Sequence, residues 1–324
     1  MKLLRRRFLQ LAAAATLALP HDARAQVWPI RIVRLLVGFP AGGGMDAAGR
    51  ILCSQLSEIW GQKVVIENKP GAGGMIALDA AAHAAPDGYT MLMSAGAPAT
   101  YGSLFSLGFD PVADLAPLSL VGRFPHMIVV PNSSPWLSLK DFIAHAKTNA
   151  GKINWASPGV GSPAHLAGER FKRMAGIEMT HVPYRGVATG AMSDLIAGRL
   201  DAMFNTTGSV LQAVRANQVR ALGVTTGARF ATAPEIPTIA ESGVPGYDVE
   251  CFYALWAPAA TPRQIVRKMN RDVVAILDEP AAQVRFELLG VLAGGSTPEE
   301  LAAKARADAE LWAPIIKAAG IKGE

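Results

Sequence analysis

The sequence predicts an α/β protein of two doubly wound lobes with a ligand cleft between them. Two observations carry this prediction. β-rich runs alternate with helix-periodic segments through short glycine- or serine-rich loops, and the alternation runs through two successive series, the second opening near Met127.

The first series opens with the β-rich run Ile30 to Val37, the breaker Gly38 to Gly44, and the apolar-periodic segment Ala47 to Trp60, which together read as strand, loop and helix. Lys63 to Glu67 is a second short strand, Asn68 to Gly74 a second glycine-rich loop, and Met75 to Ala85 a helix stopped by Pro86-Asp87-Gly88. Tyr89 to Met93 is the third strand, and a small-residue loop follows from Ser94. Such units build a parallel sheet whose ligands sit outside the carboxyl ends of the strands, so all three loops are expected at one edge.

The second series starts with the strand Met127 to Val130 and a helix opened by Ser138 as N-cap. Ile153 to Ser157 reads as strand, Pro158 to Ala164 as loop, and His165 to Ala175 as helix. Met179 to Pro183 is strand, Ala188 to Ala197 helix, and Asp201 to Phe204 and Val219 to Thr225 are the last strands of this series. Tyr247 to Pro258 is β-rich, and helices follow at Arg263 to Leu277, Ala281 to Leu289 and Pro298 to Ala319. That tail holds too few strands for a domain of its own, so it is expected to complete the first lobe. The expected division is 26–126 and 250–324 for lobe 1 and 127–249 for lobe 2, with hinge strands near Phe124 to Val130 and Val249 to Trp256.

Met1 to Arg7 is basic, Phe8 to Leu19 is apolar and alanine-rich, and Ala23-Arg24-Ala25 has the small-x-small pattern of a signal-peptidase site. The chain is therefore expected to be exported to the periplasm and cleaved near Ala25. Arg5-Arg6-Arg7-Phe8-Leu9-Gln10 also resembles a twin-arginine signal, which leaves two export routes open. The leader removes five basic residues and one acidic residue, taking the formal net charge from +5 to +1. The basic balance thus belongs largely to the leader, and no nucleic-acid partner is expected. Cys53 and Cys251 are the only cysteines and form no CxxC, which predicts no zinc site; two free packed thiols are expected ahead of one bridge.

Function is expected at the loops. Phe39-Pro40-Ala41-Gly42-Gly43-Gly44 precedes a helix, and its free backbone N–H groups together with the helix dipole suit a carboxylate. Asp46 has two readings, as a first-turn helix residue favoured by the dipole or as an acceptor for an ordered water or a ligand N–H. Gly42-x-Gly44-x-x-Ala47, with Glu67 ending the next strand, also contains the parts of a dinucleotide fingerprint, although Asp46 would repel a pyrophosphate. In the second series Ser157, Gly161, Ser162 and His165 rebuild the same kind of loop with hydroxyls, Ser162 doubling as a helix cap. Tyr184 and Arg185 follow a strand at the expected ligand edge, and Asn205 ends the next, offering both a donor and an acceptor. No paired carboxylates, metal-spaced histidines, Cys/His couple or Gly-x-Ser-x-Gly elbow is present, so neither catalytic residues, metal nor cofactor is expected.

At these residues the chain closely resembles the substrate-binding receptors of tripartite tricarboxylate transporters, the Bug-type periplasmic receptors. The matching motifs include Phe39 to Gly44 with Asp46, Glu67 to Gly74, Ala85 to Thr90, His165 to Glu169, His181 to Gly186, Gly198 to Phe204 and Pro234 to Thr238. The resemblance implies a type II flytrap closing on a small carboxylate, a monomer that serves membrane components of the transporter. The alternatives are an exported dinucleotide-binding oxidoreductase and an accessory protein that presents its ligand to a signalling system. Three departures bear on specificity: Met45 replaces a usual polar residue, Ala95 to Pro98 replaces a hydroxyl-rich loop, and Asn205 replaces a common aspartate.

Overall fold

The computed structural model describes residues 28–184 and 190–323. The leader, its cleavage site near Ala25, and Arg185 lie outside the described residues. No helix among those described is long and apolar enough to cross a membrane.

Among the described residues the first sheet has six strands and the second five. In the first, β1 (Val33–Val37) pairs in parallel with β2 (Val64–Asn68) and β3 (Thr90–Ala95). β10 (Cys251–Pro258) then runs antiparallel between β3 and β4 (Leu115–Phe124), and the short β11 (Leu292–Ala293) closes the edge on β4. In the second sheet, β6 (Asn154–Ser157) is parallel to β7 (Thr180–Pro183) and β8 (Ala202–Thr206), whereas β5 (His126–Pro131) is antiparallel to β8 and β9 (Val219–Val224).

Both sheets are therefore mixed, where the alternation of strands and helices predicted parallel ones. The cause lies in the strands that cross between lobes. β4 runs straight into β5 through Pro125 alone, so β5 does not arrive by a βαβ crossover and does not inherit the parallel direction. β4 itself is absent from the reading of the sequence because Pro117 interrupts its pattern. A register shift on β10 between Leu255 and Trp256 accommodates that proline.

The lobe 1 core includes Leu36, Leu78, Leu92, Phe252, Trp256 and Leu301, all buried. A lobe 2 core is built on Phe142, Trp155, Phe171 and Phe204. The terminal helix, Pro298–Ala319, spans the two: Leu301 and Ala305 pack in the first core, Trp312 and Ile316 in the second. It starts from a capping box formed by Thr297 and Glu300. Cys53 and Cys251 are free and buried, and burial pushes the Cys53 thiol up to about 12.

Three helices of chain order α1 (Gly44–Trp60), α4 (Pro163–Ala175) and α6 (Thr207–Arg215) place the site; α2 (Met75–Ala82), α3 (Leu139–Thr148) and α5 (Ala191–Ile196) lie between them in sequence. α1 begins three residues earlier than the apolar period predicts, so Gly44, Met45 and Asp46 form its first turn. The sequence pattern predicts no helix at α6.

Candidate functional site

A cavity of about 530 Å³, counting the part open to solvent, lies between the lobes. Lobe 1 lines it with Phe39, Pro40, Gly43, Gly44, Met45, Ala95 and Tyr253, and lobe 2 with His126, Pro158, Ser162 to Ala164, Asn205, Thr206 and Ser209. No Lys, Arg, Asp or Glu is among these residues. What the cavity has instead is the first turn of α1 on one side and the first turns of α4 and α6 on the other. The caps of α1 and α6, Gly43 and Thr206, make no side-chain cap bond; Thr207 N of α6 donates to Pro125 O at 3.2 Å, and the helix dipoles make the space beside these first turns positive.

The lobe 1 loop is held from behind. The buried Asp46 carboxylate accepts from Gly42 N at 3.0 Å, from Arg50 Nε at 2.8 Å and Nη2 at 3.1 Å, and from Asn68 Nδ2 at 3.1 Å. Asn68 Nδ2 also donates to Phe39 O at 2.9 Å, so both ends of the loop are tied to one carboxylate and one amide. Burial pushes the Asp46 pKa up, but the bonds from Arg50, Gly42 and Asn68 outweigh it and leave the group below the usual carboxylate range. Of its two expected readings Asp46 takes the helical one, shaping the loop; its oxygens are consumed within lobe 1 and it lines no part of the cavity. Gly42 has φ +83°, the left-handed conformation that lets the loop turn back onto Asp46. Ala41 and Gly42 do not line the cavity, whereas Phe39, Gly43 and Gly44 do. Ser94 also stands behind the wall, donating to Gly96 O and accepting from Trp256 Nε1, both at 2.8 Å.

In lobe 2, Ser162 caps α4 by accepting from His165 N at 3.3 Å and donates to Gly159 O at 2.7 Å. Ser157 Oγ lies 2.7 Å from His181 Nε2, and Gly161 N donates to His165 Nδ1 at 3.1 Å. A ring nitrogen that accepts carries no proton, so this bond requires neutral His165. Burial lowers its pKa to about 3, helped by His181 stacked 3.9 Å away, and burial takes His181 down to about 4. Ser157 and His165 are thus supports of the loop, and of this group Ser162 alone reaches the cavity. Gly161 borders a separate space beside Gly96 and Asp308. Tyr184 lines a further space of about 870 Å³ with Phe39, Gly71 to Gly74 and Pro158 to Val160, and its hydroxyl donates to Asp194 at 2.6 Å.

Asn205 lines the cavity with its Oδ1 occupied by Thr206 N at 2.7 Å, while Nδ2 has only Met203 Sδ at 3.9 Å. Beside it a hydroxyl chain crosses between lobes: Tyr253 bonds the Thr206 side chain, which lies 2.8 Å from Ser209 Oγ. Gly44 faces this chain so closely that a Cβ there would stand 3.2 Å from the Tyr253 hydroxyl. His126, Tyr253, Thr206 and Ser209 were not expected. Thr206-Thr207-Gly208-Ser209 after a strand was a readable cap signal; His126 and Tyr253 are strand residues with no local signal.

The arrangement has donors, hydroxyls and apolar walls in a cleft between two lobes, and comparison with known proteins decides what kind of receptor it is. Residues 48–321 match the family model of the tripartite tricarboxylate transporter family receptor. The chain belongs to this family. A UPF0065 protein from the tcbD-tcbE intergenic region of a Pseudomonas species is 36% identical over 315 residues, which cover 96% of this chain and 94% of that one. Among solved structures, the periplasmic binding protein BugD has a TM-score of 0.86 at 34% identity, covering 92% of this chain and 100% of its own. An R. palustris protein solved with adipate also has a TM-score of 0.86 at 34% identity, covering 91% and 99%. MatC from Rhodopseudomonas palustris, with bound malate, has a TM-score of 0.83 at 30% identity, covering 89% and 100%. The family is one of periplasmic binding receptors for transporters, which hold a solute and do not transform it. The two-lobed flytrap fold and the resemblance read from the sequence both stand on these matches.

Proposed function

We propose that this receptor captures a small carboxylate in the cleft between its lobes and delivers it to the membrane components of a tripartite tricarboxylate-type transporter. The cargo is a di- or tricarboxylate, an aromatic acid or an acidic amino acid. The observation that carries this reading is the convergence of three helix N-termini, one from lobe 1 and two from lobe 2, on a cavity without a charged side chain. Such a site neutralises an anion with dipoles and N–H groups contributed by both lobes, so ligand contact favours their closed arrangement. The adipate and malate held by two relatives support the class. Residues 1–25 act as the export leader, and the mature receptor works as a monomer in the periplasm.

Thermal melting against mono-, di- and tricarboxylates, aromatic acids, acidic amino acids and nicotinamide dinucleotides tests the reading. A bound carboxylate at a hundredfold excess over Kd raises Tm by about 5 °C and is recovered unaltered. A shift with dinucleotides alone, or consumption of the compound, overturns it. Within the class, Asn205 sets the attitude towards amino groups, because its free amide nitrogen offers a donor and no charge to an ammonium. An amino acid and its deaminated analogue are expected to bind alike, and Asn205→Asp to shift the ratio about tenfold towards the amino acid, read by calorimetric titration. A strong preference for the amino acid in the unsubstituted receptor breaks this assignment.

A further inference from the structure

Among the residues that line the cleft cavity, His126 has a buried ring nitrogen, Nδ1, with no hydrogen-bond partner. Other polar groups of that lining are engaged: Ser162 with Gly159 and His165, Asn205 Oδ1 with Thr206, and Tyr253, Thr206 and Ser209 in one chain. A buried polar group left unpaired costs about 1–3 kcal/mol, so a persistent one marks a place where a partner arrives.

The position of His126 is built. It is the first residue of β5, directly after the crossover from lobe 1, and its backbone N donates to Thr225 Oγ1 at 2.8 Å while its carbonyl accepts from Thr225 N at 3.0 Å. Its register partner is Thr206, which lines the cavity beside it. Phe124 packs edge-on against the ring at 5.8 Å. The imidazole is 1% exposed and thus fixed at the hinge end of the cleft.

Resting on the carboxylate reading above, we propose that His126 is a specificity-determining residue, whose imidazole exchanges a hydrogen bond with a ligand hydroxyl, so that the preferred cargo is a hydroxycarboxylate. Burial, with no charged neighbour, lowers the ring's pKa to about 3 and keeps it neutral. A neutral imidazole has one donor and one acceptor nitrogen, and a hydroxyl, being both donor and acceptor, satisfies whichever faces it. The helix N-termini offer only donors, which suits the carboxylate end and leaves the reading of the other end to His126.

Calorimetric titration of the exported protein near neutral pH with lactate and propionate, malate and succinate, and 4-hydroxybenzoate and benzoate tests this. In the pair that fits the cleft the hydroxylated member binds about tenfold tighter. His126→Phe reduces that ratio to within about twofold while the deoxy member still binds, and His126→Asn, which keeps a donor and an acceptor, restores part of it. Thermal melting checks that both variants fold; should the Phe variant not fold, the ring-nitrogen NMR shifts of His126 in the unsubstituted protein decide, moving with the hydroxylated ligand and not with its deoxy partner. Equal binding within every pair, or a ratio unchanged in His126→Phe, overturns the assignment and leaves the carboxylate reading standing. Failure of every acid to bind sinks both.

Discussion

Lobe 1 meets the cleft with a glycine loop pinned from behind by Asp46 and Asn68 and with Phe39, Met45 and Tyr253, whereas lobe 2 meets it with Ser162, Asn205, Thr206 and Ser209 and holds the Ser162 loop on two neutral histidines. The glycine loop of the first rim has little side chain to vary, and its shape depends on one buried carboxylate. The second carries the groups whose replacement changes chemistry. On the proposed reading the difference separates two tasks: lobe 1 supplies the socket for the carboxylate, and lobe 2, with the hinge residue His126, tells one carboxylate from another.

The largest effect is expected where the rims touch. Gly73 of lobe 1 has φ +64°, and a Cβ there would stand 2.5 Å from Val160 O and 3.2 Å from Ser162 N in lobe 2. Gly73→Ala therefore opposes the closed arrangement with backbone against backbone, which no rotamer change relieves. Affinity for the bound carboxylate is expected to fall about a hundredfold, while Tm without ligand falls by only about 2–4 °C from the left-handed cost at the substituted residue. Small-angle scattering should lose the ligand-induced compaction. An unchanged Kd means that the two loops do not need to meet for capture.

Asp46→Ala sharpens the comparison from the lobe 1 side. It removes the acceptor of Gly42 N, Asn68 and Arg50 together, so the loop that presents Gly43 and Gly44 loses its template. A loss of about 2–3 kcal/mol in stability and about tenfold in affinity is expected, equal for all acids of the panel. If the loss instead differs between acids, Asp46 reads ligand identity and the division of labour between rims fails. Thermal melting and titration separate the two.

The legible parts of the site are those made by consecutive residues. Phe39 to Gly44 and Ser157 to Ser162 announce themselves because glycine and serine accumulate where a strand turns into a helix, and both loops do flank the cleft. The roles within them were not legible, since whether Asp46 faces ligand or loop depends on Asn68, twenty-two residues on in another element. His126 and Tyr253 were beyond reach for a related reason. Each sits in a buried strand, and which face of β5 or β10 looks into the cleft is decided by pairing with β8 and with β3 and β4, a register that the run of apolar neighbours does not encode. The mixed direction of the sheets escaped likewise, because chain order shows where the crossovers are but not which way the crossing strands run.

The smallest effect concerns acid, and it tests the lobe 2 side. His126, His165 and His181 have folded pKa values lowered to about 3, 3 and 4. Lowered values mean that the unfolded chain binds these protons first, so their contribution is intact above the ordinary histidine value near 6.5 and is lost as pH falls from there towards 4. Each histidine contributes a slope of about 1.4 kcal/mol per pH unit within that window. Before unfolding, protonation of His165 removes the acceptor for Gly161 N and sets two stacked cations 3.9 Å apart if His181 follows. At pH 5.5 both rings are still neutral in the folded receptor, so the loss between pH 7 and pH 5.5 is expected in Tm and not in affinity, with His165→Gln, which keeps an acceptor for Gly161 N but does not titrate, flattening the Tm profile. Should the Tm profile stay the same in that variant, the acid sensitivity belongs to His126 and His181, and the bond from Gly161 N to His165 carries none of it.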